Sequence, residues 1–217
     1  MKLVIGNKNY SSWSLRPWLF MAYHQLDFEE IRLAMFEPAW EEQIQQYSPS
    51  GFVPVLDDQG LIIWDSIAIC EYLSEQYLQD KGWPQDIKTR ARARACAAEM
   101  HAGFSQIRTA MPMNVRAENR RIEITPAIRK EIARIDTQWN SLRAEFREQG
   151  EWLFGEFTIL DCMYAPMVFR FNTYGINLTQ AAEEYRQFVL AHPLMQDWIQ
   201  ASRLETETFE RSETGLK

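Results

Sequence analysis

Four short stretches of this sequence gather side chains that can do chemistry. Asn9-Tyr10-Ser11-Ser12-Trp13-Ser14-Leu15-Arg16 sets four hydroxyls and a guanidinium within eight residues, at the point where a helix is expected to begin. A hydroxyl there can donate to an anion, while the helix amides add a field that favours negative charge. Phe52-Val53-Pro54-Val55 opens a strand with proline after a turn, and Trp64-Asp65-Ser66-Ile67 places an acid and a hydroxyl where a strand becomes a helix. Thr158-Ile159-Leu160-Asp161 carries a hydroxyl and a carboxylate at capping spacing. Each stretch alone has an ordinary structural reading. Serines and aspartates cap helices for about 1 kcal/mol each, and proline is at home on an edge strand. For Thr158 and Asp161 that reading is taken outright: threonine and aspartate satisfy the free amides of a helix start.

The elements that must position these side chains follow from periodicity. Lys2–Ile5 reads as a strand, Leu15, Trp18, Leu19, Ala22 and Tyr23 as a helix, and Phe28–Leu33 as a second strand. Pro38 suits a first helical turn ahead of Trp40, Ile44 and Tyr47, and Ser48-Pro49-Ser50-Gly51 stops that helix. Val53–Leu56 and Leu61–Trp64 flank Asp57-Asp58-Gln59-Gly60 as a hairpin, before a helix carrying Ile67, Cys70, Leu73 and Tyr77. The order is βαβαββα. After Lys81-Gly82-Trp83-Pro84 no strand pairs are read, and helices are expected over about 87–110, 126–148, 159–173, 180–191 and 194–202. The chain thus divides into an α/β unit over 1–80, a linker over 81–87 and an all-helical unit over 88–217, with a tail after Arg203 that reads as too polar to pack well.

Composition narrows the classes. With 217 residues, 46% hydrophobic and 13% aromatic, the chain is expected to be globular. Its apolar runs, such as Leu61–Trp64 and Met163–Phe169, fall far short of the roughly 20 residues of a membrane span. No signal peptide is readable, which predicts a cytoplasmic protein. Cys70, Cys96 and Cys162 form no Cys-x-x-Cys pair, which argues against a disulfide framework, a metal site or a dithiol centre. The net charge is −7, and it is uneven: residues 1–80 hold four bases against twelve acids, whereas residues 81–217 hold 19 bases and 18 acids. Apart from Arg90, Arg92 and Arg94 there is no basic stripe, so no nucleic-acid partner is expected.

Taken in order along a βαβαββα unit followed by helices, the four stretches resemble the cytosolic glutathione transferase superfamily. The resemblance spans nearly the whole chain. Within that superfamily Ser11-Ser12-Trp13-Ser14-Leu15-Arg16 is most similar to the serine-type zeta class, whose loop reads Ser-Ser-Cys-Ser-Trp-Arg, with Trp13 standing where that pattern has cysteine. The resemblance implies a thioredoxin-like domain, an all-helical domain, a homodimer, and glutathione as co-substrate with no prosthetic group. It implies attack of the glutathione thiol on small electrophiles, the chemistry of detoxification. Because a free thiol titrates near roughly 8.5, such a protein must stabilise the thiolate. By the family pattern Ser11 donates to the sulfur, with Ser12 in that role if the register shifts by one and Tyr10 as the other nearby hydroxyl. Arg16 would add positive charge. Val53 would pair its backbone with the cysteinyl portion, Pro54 would set that geometry, and Ser66 with Asp65 would hold the γ-glutamyl end.

The acceptor pocket is expected between the two units, with His101, Phe104, Arg108 and Arg170 as candidates beside Met111, Met113 and Tyr174. Two departures from the zeta pattern stand out. Between Arg32 and Lys81 there is no lysine or arginine, and Phe52 stands where the pattern has glutamine, so the glycyl carboxylate lacks an obvious partner. Gln43, Gln45, Gln46, Lys8, Trp40 or a partner subunit are the substitutes. Thr173 stands where the pattern has an arginine for anionic substrates. The alternatives to a transferase are a glutathione-dependent cis-trans isomerase of maleyl-type diacids and a non-catalytic adaptor of the same fold. The absence of a cysteine from the first loop argues against thiol-transferase chemistry. The uneven charge suggests that Arg90 and Arg94, on one helix face, address the acidic unit of a second subunit.

Overall fold

In a computed structural model, which describes residues 1–35 and 37–215, a four-stranded sheet organises the first eighty residues. Its strands are β1 (Lys2–Ile5), β2 (Glu29–Arg32), β3 (Val55–Asp58) and β4 (Leu61–Trp64), in the order β2-β1-β3-β4. Leu3, Val4 and Ile5 are fully buried, as befits an unbroken apolar run in a strand covered on both faces. β1 runs parallel to β2 and antiparallel to β3, and β3 turns back into β4. A parallel pair needs a crossover, and α1 (Ser12–Tyr23) supplies it. With α2 (Trp40–Gln45) and α3 (Ser66–Leu78) the expected βαβαββα order is complete. The Val53–Pro54 peptide is cis, and β3 starts at Val55 rather than Val53.

The remaining helices are α4 (Ile87–Ala102), α5 (Ser105–Ala110), α6 (Pro126–Phe146), α7 (Ile159–Thr173), α8 (Gln180–Ala191) and α9 (Pro193–Arg203). Every residue of α7 except Asn172 is buried. A helix apolar all round must lie in the centre, and α7 packs against α1, α3, α4 and α8. One core therefore runs through both units, joining Leu15, Leu19 and Phe20 to Leu160, Met163 and Met167.

The structure corrects the expected helix bounds and the expected tail. The helix expected over 87–110 breaks at Gly103 and Phe104. Phe104 takes a left-handed φ of 58°, and a Cβ at Gly103 would lie 2.7 Å from the Glu99 carbonyl. Arg108 turns back across the break and donates to the carbonyls of Met100 and His101, filling the open end of α4. The helix from Pro126 stops at Phe146, followed by a short 3-10 turn over Arg147–Gln149. Within the expected linker α4 begins at Ile87, and the Gly82 amide donates to Ser74 Oγ (2.9 Å) while its carbonyl accepts from Ile159 (2.9 Å).

The tail after Arg203 packs, contrary to its polar composition. Glu205 accepts the amides of Lys8 (2.6 Å) and Asn9 (3.0 Å), Phe209 lies 4.5 Å from the Tyr10 ring, and Glu213 accepts the Tyr10 hydroxyl (2.8 Å). Carboxylates docking on loop amides leave no hydrophobic signature in a sequence. The basic run is also engaged within the chain. Arg92 meets Glu145, Arg94 meets Glu71 at 3.5 Å, and Arg90 donates to the carbonyls of Pro84 and Gln85. Among the described residues no helix is long and apolar enough to cross a membrane. Residues 216 and 217, the end of the expected helical unit, lie outside the described residues.

Candidate active site

Ser11 is the N-cap of α1, with non-helical φ and ψ, and its Oγ accepts the Ser14 amide at 3.3 Å. The two hydroxyls of Ser11 and Ser14 share a hydrogen bond of 2.7 Å, and Ser14 Oγ also accepts the Gly6 amide at 3.1 Å. A row of donors therefore runs from the end of β1 through Ser14 to Ser11. Ser14 can donate into Ser11, which leaves the Ser11 proton for a group in front of the helix. Ser12 is the first residue of α1 and is half-buried. The Tyr10 hydroxyl points elsewhere: it donates to Glu213 and accepts from Arg116 (3.2 Å), so the tail holds it.

The second helix start lies across a cleft of about 270 Å³ lined by Trp13, Ser50, Phe52, Val53, Pro54, Trp64, Asp65 and Ser66. Asp65 caps α3 through Oδ1, which accepts the Ile67 amide at 2.9 Å. It does so at a φ of 75°, a backbone region that costs a residue with a Cβ about 1–3 kcal/mol and that persists where its surroundings enforce it. Its Oδ2 meets His101 Nε2 at 3.1 Å. Burial, and the guanidiniums of Arg16 and Arg108, pull the His101 pKa down, while Asp65 opposes them. The pair is thus a hydrogen bond from a neutral imidazole at neutral pH. Ser66 is nearly buried, and its Oγ accepts from Arg16 at 3.3 Å. Arg16 is buried beside the cleft, where it touches Ser66 and the Trp13 ring.

Of the acceptor-side candidates, none lines the cleft: His101 and Arg108 lie against the lining residues Trp13 and Asp65, and two lie in the core. Trp13 stands between the guanidiniums of Arg16, 4.1 Å from the ring, and Arg108, 5.0 Å from it, with the His101 ring 5.3 Å away. Phe104 is buried at the helix break, and Arg170 is spent on the carbonyls of Met111 (2.9 Å) and Pro166 (3.3 Å). Tyr174, read together with Arg170, holds Pro112 and Thr214. Arg16, Arg108 and Arg170 all have lowered pKa values, first from burial and then, for Arg16 and Arg170, from neighbouring guanidiniums; Arg170 falls to about 9. None of the three forms an ion pair among the described residues. Thr158 and Asp161 form the expected capping box, away from this cleft.

The reading of the sequence missed the hydrogen bond between Ser11 and Ser14 and missed Trp64 as a wall of the cleft. The spacing of Ser11 and Ser14 at one helical turn was the available signal for the first. Nothing local marks Trp64, which belongs to β4 and turns its exposed ring to the cleft.

Comparison with known proteins adds the following. Residues 10–76 match the family model of the glutathione S-transferase N-terminal domain, and residues 119–201 match that of the glutathione S-transferase C-terminal domain. The chain is 30% identical to a maleylacetoacetate isomerase of Pseudomonas aeruginosa over 53% of its own length and 55% of that protein. It is 28% identical to the glutathione S-transferase GstB of Escherichia coli, over 82% of this chain and 86% of that one. Among solved structures, the fold matches a bacterial zeta-class maleylpyruvate isomerase with a TM-score of 0.72 at 21% identity, covering 95% of this chain and 100% of that one.

Proposed function

The chain belongs to the glutathione S-transferase family, and from that premise we propose that it binds glutathione in the cleft between α1 and α3 and activates the thiol for attack on small electrophiles. The observation that supports this most is one cleft lined by Trp13 from the first turn of α1, by Asp65 and Ser66 at the capped start of α3, and by Val53. The γ-glutamyl carboxylate lies at the start of α3, with the Ser66 amide and hydroxyl as donors. Arg16 donates to Ser66 Oγ, so the Ser66 proton is turned toward the ligand. Asp65 offers Oδ2 to the ammonium group. The sulfur lies before α1, where Ser14 donates to Ser11 and Ser11 donates to sulfur, a bond that strengthens as negative charge forms there. The thiol proton leaves to solvent and the thiolate attacks the electrophile. Turnover of chlorodinitrobenzene with glutathione, lost on Ser11→Ala, tests this reading. Failure of the protein to bind glutathione resin would instead support an adaptor.

The three guanidiniums, which form no ion pair among the described residues, favour a second reading, a glutathione-dependent cis-trans isomerase of maleyl-type diacids. An anionic acceptor beside Trp13 would meet Arg108 directly and the field of Arg16 and Arg170 behind it. The same thiolate would add to the double bond and leave after rotation. Maleylacetone as substrate separates the two, since a pure transferase leaves its geometry unchanged. The proposal further places the protein in the cytoplasm as a homodimer, with the helical unit of one copy against the acidic unit of the other. Sedimentation at micromolar concentration tests it: a single species of twice the chain mass is expected, and a monomer would count against it.

A further inference from the structure

We infer that the cleft accepts γ-glutamylcysteinyl thiols with an uncharged or cationic C-terminal end at least as well as glutathione itself, a reading that rests on the glutathione site proposed above. Three anchors fix the direction of the bound peptide: α3 holds the γ-glutamyl end, Val53 lies at the middle, and the sulfur faces Ser11. The remaining end must then run out past Ser50 and Phe52, the other residues of the cleft wall on that side.

Among the described residues of a single chain, that end offers a carboxylate no cation. The polar groups of the turn close on one another: Ser48 Oγ donates to the Phe52 carbonyl (2.8 Å), and the Phe52 amide donates to Ser48 Oγ (3.2 Å) and Ser50 Oγ (3.4 Å). What the turn presents outward is the Phe52 ring, 73% exposed. The residues lining the cleft include no cation, and from residue 33 to residue 80 the sequence contains none. Lys8 and Arg32, bases of the same unit, are committed elsewhere. Lys8 pairs with Glu30 at 2.7 Å and lies over the rings of Trp18 and Trp198, and Arg32 pairs with Glu207 at 3.0 Å. Gln43 and Gln45 on α2 and Gln46 just after it are exposed and do not line the cleft. The acids, by contrast, are close. Glu41 and Glu42 open α2, the helix whose Ile44 packs in one cluster with Val53. A negative C-terminal end therefore meets a field of its own sign, whereas an amide, or an amide carrying an amine, does not.

The test compares glutathione with its glycine amide and with glutathionylspermidine as co-substrates for chlorodinitrobenzene, at low and high salt. Exposed charges act weakly through water, so the KM of the amide is expected to be about two- to fivefold below that of glutathione at low salt, converging at high salt. Phe52→Lys, at an exposed position, should reverse the order by lowering the KM for glutathione alone. An amide KM above that of glutathione in the unmodified protein overturns the inference and leaves the glutathione site standing. Turnover with none of the three thiols overturns the site and the inference together.

Discussion

At the start of α7 the Asp161 carboxylate accepts from the amides of Leu153 (3.1 Å) and Thr158 (2.9 Å) and from the hydroxyls of Thr158 (3.1 Å) and Tyr185 (3.0 Å). At the start of α3 the Asp65 carboxylate accepts one amide, leans on His101, and keeps a side chain 41% exposed to the cleft. Both are aspartates at helix N-termini, with a hydroxyl residue close by. The difference is in what is left over. Asp161 is closed on every side by its own chain, and the cost of burying it, which raises its pKa to about 6, is offset by four hydrogen bonds. Asp65 holds its helix end with one amide bond and meets His101, Ser66 accepts from Arg16, and both still line a cavity. A cap whose donors and acceptors are all spent stabilises, whereas one with unspent groups before an open space can bind.

The largest effect should follow from breaking the closed cap. Asp161→Ala strands the amides of Leu153 and Thr158 and the hydroxyl of Tyr185 in the core, and should lower stability by about 3–5 kcal/mol. Chemical denaturation measures this, and a loss under about 1 kcal/mol would show that Asp161 is not the closed cap described.

Ser11→Ala comes next and acts on turnover. Loss of one donor to a developing charge costs on the order of 10- to 1000-fold in turnover, alongside about 1 kcal/mol of stability from the lost N-cap. Full activity in Ser11→Ala with a dead Ser12→Ala would move the sulfur one residue along the loop. Ser66→Ala and Asp65→Ala should raise the KM for glutathione by about tenfold with a smaller effect on turnover, because their contacts exist before the reaction as well as during it. Calorimetric titration showing unchanged affinity in both variants would remove the open cap from the binding site.

The smallest effect is on pH dependence. His24 lies against the rings of Phe20, Tyr23 and Phe157 with its Nε2 buried and unpartnered, and burial lowers its pKa from the ordinary 6.5. The unfolded chain then binds the proton more readily than the folded one. Stability from this group is full above 6.5 and is lost as pH falls through the lowered value. His24→Phe should accordingly flatten the fall of melting temperature with acidification, and an unchanged slope would contradict this.

Much of the fold was legible because its signals are local. The alternation of Lys2–Ile5 with the stripe from Leu15, the breaker at Ser48–Gly51 and the Asp57–Gly60 turn each act over a few residues. What escaped depends on distant partners. The break at Gly103 and Phe104 interrupts a pattern that reads as helical throughout, and the side chain that bridges it, Arg108, carries no mark of that role. The tail reads as solvated, yet Glu205 and Glu213 reach back to residues 8–10 across nearly the whole chain. Ser11, Val53, Pro54, Asp65 and Ser66 are candidates from their motifs together with resemblance, and Val53, Pro54, Asp65 and Ser66 line one cleft. On the acceptor side, Phe104 is buried at the break between α4 and α5 and Arg170 turns into the core, directions that only packing decides.

The account stands on the claim that Ser11 stabilises negative charge on a bound thiol, and the ionisation of that thiol tests it most directly. Glutathione bound to the unmodified protein should show near-ultraviolet thiolate absorbance at a pH well below that needed for free glutathione, and Ser11→Ala should return the transition toward the free value while retaining binding. A bound thiol that titrates like the free one in the unmodified protein would contradict the account.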